Sequence, residues 1–196
     1  MKKNLLISVL MTIATTILLG IVYPLVVTEL AQVFFKDKAN GQLIVQNGKV
    51  VGSRIIGQSF TGSAYFHSRP SAAGNGYDAA NSSPSNLGPT NQHLIDRVKA
   101  DVAANQVDHP RQAVPVDLIT QSGSGLDPHI SPAAAEFQVD RVAKERGVRA
   151  DDLRQLVLKH TEGRQLGFLG EVRVNVLELN LELDQQFPLT KQAKVE

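Results

Sequence analysis

The chain has no cysteine and no tryptophan, and aromatic residues are only 5% of its 196 positions. The missing cysteine excludes a lipoprotein anchor and suits an oxidising compartment without requiring one. With so few rings there is no stacking platform for bases or sugars. An excess of either charge is missing as well. Removing Lys2 and Lys3 from the 20 basic residues leaves 18 against 19 acidic ones, a net of about −1. That balance gives no electrostatic footprint for nucleic acid. Membrane and protein remain as the partners to look for.

What is present first is an apolar run, Leu5 to Val27, with no charged residue in it. A helix needs about 20 such residues to cross the hydrocarbon core. Ser8, Thr12, Thr15 and Thr16 can bond back to their own helix carbonyls and so cost little in lipid. Tyr23 falls where a ring suits the headgroup level, and Pro24 is expected to kink or end the last turn. A cleaved signal peptide is the rival reading. Its apolar stretch is shorter and ends in a small-residue cleavage site, whereas here only Val27-Thr28-Glu29-Leu30-Ala31-Gln32 follows. The uncleaved transmembrane helix is favoured. Lys2 and Lys3 before it, against Lys36 and Lys38 after it, lean the N-terminus towards the cytoplasm.

The expected organisation is therefore a short cytoplasmic N-terminus (1–4), a transmembrane helix (5–27), a juxtamembrane connection (28–40), one soluble α+β domain (41–190) and a tail (191–196). In the connection, Ala31 to Lys38 continues the helix out of the membrane until Asn40-Gly41 breaks it. Gln42–Gln46 and Lys49–Ser53 flank Asn47-Gly48, the strongest short signal for a β-hairpin, and Arg54–Gly57 extends its second strand. Residues 58–90 are rich in Gly, Ser, Asn, Ala and Pro, which on composition alone reads as a linker. They also hold Phe60, Tyr65, Phe66 and Tyr77, which favours a long loop pinned by its rings.

Thr90 is read as the N-cap of a helix over Asn91–Ala104. Pro115–Thr120 is read as a short strand. Ser131-Pro132 starts a helix that Gly147 stops, and Asp151–His160 is a second one. Glu171–Asp184 alternates apolar and polar residues in two phases. A strand with a bulge at Val176-Leu177 is favoured, and a helix buried on two faces is the alternative.

No catalytic pattern is strong. The serine-hydrolase elbow G-x-S-x-G fails across Gln121–Gly125, because Gln121 stands in place of the first glycine and Gly123 in place of the serine. Gly48-Lys49 belongs to a turn and not to a phosphate-binding loop, and Gly74–Ala79 matches G-x-G-x-x-A without a strand before it. Histidines 67, 93, 109, 129 and 160 are dispersed, with no i,i+4 pair for a metal. Asn81-Ser82-Ser83 is only a formal glycosylation sequon. The most specific segment is Ser122, Gly123, Ser124 and Gly125, with Asp127 and His129 behind them. Successive Gly and Ser amides before a helix can form an anion nest; a rigid turn that starts the helix is the plainer reading.

At that segment the chain becomes recognisable. QSGSGLDPHISPAAA, with GSRIIGQSF, YFHSRPSAAGNGYD, SNLGPTN and LGEVRVNVLELNLELD, closely resembles the C subunit of the Kdp potassium-transporting P-type ATPase (the KdpC family), from about Leu5 to Asp184. The resemblance implies a non-catalytic accessory subunit of a bacterial inner-membrane complex. Its partners would be a potassium-conducting subunit, a P-type ATPase subunit and a small single-span subunit. It also implies a catalytic chaperone that raises the ATPase subunit's affinity for ATP, with no cofactor held firmly by this chain, and a soluble domain outside the cytoplasm. ATP is cytoplasmic, so those two implications conflict. Asp37-Lys38-Ala39-Asn40 only begins like the D-K-T-G phosphorylation sequence. Thr12, Thr15, Thr16 and Gly20 are the expected packing face of the anchor. Phe60, Tyr65, Phe66 and Arg69 are the expected docking surface of the soluble domain. A membrane-anchored serine hydrolase using Ser122 or Ser124 with His129, and an anion-binding module, are the alternatives.

Overall fold

Residues 2–34 form one continuous helical rod, the one helix among the described residues long and apolar enough to cross a membrane. The computed structural model describes residues 1–107, 109–110 and 112–189; the expected 191–196 tail lies outside them. Helix α1 (Lys2–Ile17) passes through a π-helical segment (Leu18–Val22) into α2 (Tyr23–Phe34). Pro24 explains the π-segment. It has no N–H to close an α-turn, and just ahead of it Tyr23 N donates to Leu18 O, five residues back. Of the expected kink or end at Pro24, the end is corrected: the helix runs on to Phe34, with a local widening at Leu18–Val22. Ser8, Thr12 and Thr15 do bond back to carbonyls of Leu5, Ser8 and Met11 at 2.8–2.9 Å. Phe35 breaks the rod, and a four-residue helix α3 (Lys36–Ala39) follows.

The chain divides into two units, Met1–Val51 and Gly52–Glu196. Strands β1 (Leu43–Gln46) and β2 (Lys49–Ser53) are joined by Asn47 and Gly48, both at positive φ as a type I′ turn requires. The second strand does not extend to Gly57: a turn closes on itself with Ser53 bridging Ile56.

In the second unit a three-stranded antiparallel sheet, order β3–β5–β4, packs with three helices. The strands are β3 (His129–Ile130), β4 (Thr161–Glu162) and β5 (Arg173–Asn175), with Val174 opposite both Ile130 and Thr161. Helix α4 (Gln92–Asn105) is capped by Asn91, whose side chain accepts from His93 N, one residue later than the expected Thr90. Pro115 leads into a 3₁₀ turn, Val116–Leu118, and not into a strand. Thr120 Oγ1 closes that turn on Val116 O at 2.8 Å. Helix α5 (Pro132–Arg146) begins at the Ser131 cap and ends at Gly147, and α6 (Ala150–Lys159) follows.

The favoured strand over Glu171–Asp184 is corrected in its second half. Only Arg173–Asn175 is strand; Val176–Gln186 is helix α7, capped by the Asn175 side chain on Glu178 N. Its inward positions are Val176, Leu179, Asn180 and Leu183, which recur at helical spacing. The polar Asn180 in that stripe, beside a buried Leu177, hides the period in the sequence. The core joins these residues to Phe66, Ile130, Val139, Val142, Leu153, Leu156 and Val174.

Candidate functional site

The loop from Ser59 to Asn91 is pinned: Phe66 is buried, while Phe60, Tyr65 and Tyr77 are half-buried. Phe66 has no exposed surface and belongs to the core, so it is not a residue of a docking surface as expected. Two buried amide side chains stand in for a neighbouring strand. Asn180 accepts from Phe66 N at 2.9 Å and donates to Phe66 O at 2.8 Å. Gln138 does the same for His67, at 2.7 and 3.2 Å. Burial and the nearby Arg141 hold the His67 imidazole below its ordinary pKa. Phe60 and Tyr65 lie with ring centroids 5.7 Å apart.

Arg146 fastens this loop to the end of α7. Its side chain is only 1% exposed. It donates to Ala64 O and Phe187 O, both at 2.7 Å, pairs with Asp184 at 2.8 Å, and stacks over the Tyr65 ring at 4.8 Å. Tyr65 in turn donates to Asp184 at 3.1 Å. Asn180, Gln138, Arg146 and Asp184 were not singled out from the sequence; a polar residue within each helix's apolar stripe was the signal available.

The Ser122–Gly125 segment is a turn that grips the loop. Gly125 (φ +69) approaches so closely that a Cβ would sit 2.7 Å from Ala73 N and 2.8 Å from Ser83 O. Its N–H donates to Ser122 O, and its carbonyl accepts from Ser71 Oγ at 2.6 Å. Ser124 O accepts from Ser83 N and Ser82 Oγ. Ser124 Oγ accepts from Leu126 N. The Gly125 and Leu126 amides are thus bonded within the segment, so of the four successive amides only those of Gly123 and Ser124 have no hydrogen bond among the described residues.

Beside the turn, Arg69, Asp127 and His129 meet around a cavity of about 480 Å³ that Asp117, Ser131 and Arg173 also line. Arg69 pairs with Asp127 at 3.1 Å and donates to Thr120 O at 3.3 Å. Asp127 Oδ1 accepts from His129 N at 3.0 Å and lies 3.5 Å from His129 Nδ1. Burial acts to raise the Asp127 carboxyl, but the His129 hydrogen bonds and the Arg69 guanidinium outweigh it and hold it below the ordinary carboxylate range. No hydrogen bond joins His129 to Ser122 or Ser124 among the described residues, so the pair a serine hydrolase needs is not assembled.

On the anchor, Thr12, Thr16 and Gly20 fall at four-residue spacing, with Thr15 beside them. None of the rod's residues is buried. A Cβ on Gly20 would meet only Thr16 Cγ2, at 3.9 Å.

With that geometry in view, comparison with known proteins decides the family. The sequence model described as "K+-transporting ATPase, c chain" matches residues 5–185. The chain belongs to the KdpC family. A KdpC subunit of a potassium-transporting ATPase from Koribacter versatilis is 70% identical over 189 residues, covering 96% of this chain and 98% of that protein. The KdpC subunit of Rhodospirillum rubrum is 58% identical, covering 90% and 92%. That of Acidobacterium capsulatum is 56% identical, covering 91% and 96%. As a KdpC family member the chain is an accessory component of a potassium-transport complex and not the catalytic ATPase.

Proposed function

We propose that the chain stabilises assembly of the complex, holding the potassium-conducting subunit, the P-type ATPase subunit and the small single-span subunit together. Its N-terminus lies in the cytoplasm and its soluble unit outside, in the bacterial inner membrane. The observation that carries this reading is the uncovered anchor. Ser8, Thr12 and Thr15 return their hydroxyls to the rod's own carbonyls, and the small residues of the Thr12-Thr16-Gly20 face offer close backbone approach to another helix.

A catalytic-chaperone role, raising the ATPase subunit's affinity for ATP, would need an anion site in this chain. The turn at Ser122–His129 supports a different role. Its Gly125 and Leu126 amides are internally bonded, and Asp127 occupies the Arg69 guanidinium that a phosphate would otherwise pair with. We assign ATP to the ATPase subunit and read the turn as a clamp on the 71–83 loop.

Gly20→Leu tests the assembly reading. The substitution meets open space within this chain, so the rod itself is undisturbed, while a neighbouring helix would be pushed away. Recovery of the other subunits with the full-length chain should fall at least about fivefold. Unchanged recovery would remove the anchor face from the account.

A further inference from the structure

Pro24 leaves one carbonyl of the membrane rod without a donor. In an α-turn Leu19 O would accept from Tyr23 N, and in a π-turn from the amide of residue 24. Tyr23 N donates to Leu18 O instead, and Pro24 has no N–H. No side chain among the described residues donates to Leu19 O either. One turn earlier stands a second unmet group. Ser8, Thr12 and Thr15 return their hydroxyls to carbonyls of the rod, whereas Thr16 Oγ1 has no hydrogen bond among the described residues.

Both groups lie deep in the hydrocarbon. Leu19 sits about 21 Å along the axis from Leu5 and about 12 Å from Val27. Neither water nor a lipid headgroup reaches that level of a core about 30 Å thick, and acyl chains carry no donor. An unmet backbone group is costly there, so a membrane helix that frees one is completed by a neighbour. Thr16 and Leu19, three residues apart, lie on one face of the rod together with Gly20. Gly20 adds no side chain that would keep a neighbour away.

The missing neighbour has a definable chemistry. It gives a proton to Leu19 O and meets the Thr16 hydroxyl about 4.5 Å along the axis. A carboxamide does both with separate atoms, as Asn180 does for the two backbone groups of Phe66. A serine or threonine fits less well, because short hydroxyls in a helix turn back on their own carbonyls, as three do here. A charged donor is far more costly to bring to this depth. A second copy of this chain does not supply the amide, since residues 5–27 contain no Asn or Gln.

We infer that Leu19 O and Thr16 Oγ1 form the docking point for an Asn or Gln side chain on a transmembrane helix of another subunit. This rests on the assembly reading above and names the polar contact that sets the depth of the anchor against its neighbour.

The test uses the full chain in the purified complex. Thr16→Val removes the hydroxyl at nearly constant shape and should lower recovery of the other subunits about three- to tenfold. Thr16→Ser keeps the hydroxyl and should hold recovery near that of the parent. Pro24→Ala gives the rod its own N–H at that position. It should lower recovery by a similar factor while the chain alone stays as stable as before. The photocrosslinker benzoylphenylalanine at position 19 identifies the partner. The joined peptide should be a membrane span containing Asn or Gln, and exchanging that amide for Leu should make Thr16→Val silent. Joining to lipid alone, to a second copy or to a span without an amide would overturn the inference, as would full recovery with Thr16→Val. If Gly20→Leu lowers recovery while Thr16→Val and Pro24→Ala do not, the amide contact fails and assembly stands. Unchanged recovery with all three would remove the assembly reading as well.

Discussion

Asn180 on α7 meets both backbone polar groups of Phe66, donating to its carbonyl at 2.8 Å and accepting from its N–H at 2.9 Å. One side chain thus does for an irregular loop what a neighbouring strand does in a sheet, and it does so where Asn180 is 1% exposed and Phe66 fully buried. Asn180→Ala would strand a buried N–H and a buried carbonyl together. The loss should be about 3 kcal/mol. A denaturant titration of the full chain in detergent micelles, with and without the substitution, reads it directly; a shift under about 1 kcal/mol would mean that water replaces the amide without penalty.

Gly125→Ala should act on the same loop from its other side. The alanine Cβ has backbone on two sides, Ala73 N and Ser83 O, and a φ of +69 that it resists. A destabilisation of about 2 kcal/mol or more is expected. Hydrogen exchange should show faster opening around residues 71–83, while the helices α5 and α6 keep their protection. Uniform loss across the unit would contradict the clamp described for this turn.

Acid should loosen the Arg69–Asp127–His129 junction. The folded Asp127 carboxyl titrates below its ordinary 3.8. Its contribution is therefore complete above that unfolded value and lost as the pH falls through the lower folded one. Asp127→Asn should lower stability at pH 7 and flatten the stability profile between about pH 5 and pH 2. Parallel profiles for parent and variant would show that the junction contributes nothing.

Local chemistry was readable in the sequence wherever neighbours a few residues apart decide it. Asn47-Gly48, Ser131-Pro132 and the α6 segment all fold as their residues specify. The α+β character and the long apolar helix were readable for the same reason. Helix α7 was not, because Asn180 interrupts its apolar stripe and the strand residues Arg173–Asn175 lead straight into it. At Pro115 the outcome is a 3₁₀ turn because Thr120 reaches back to Val116, a choice that strand propensity does not show.

The burial of Phe66 within the loop is hidden more deeply. Phe66 and His67 take their partners from residues 114 and 71 positions away, so nothing near them in the sequence indicates which way they point. The exposed turn at Leu166 is hidden for the opposite reason: Gly163, Gly167 and Gly170 signal a turn, and only the backbone shows that a leucine is held in it at positive φ.

That the soluble unit works outside the cytoplasm, away from ATP, is the claim on which this account turns. The chain has no cysteine, so one introduced at the exposed Thr90 is a unique label site. Intact cells carrying Thr90→Cys, treated with a membrane-impermeant maleimide, should label as fully as lysed cells. Labelling only after lysis would place the unit in the ATP compartment and contradict the account.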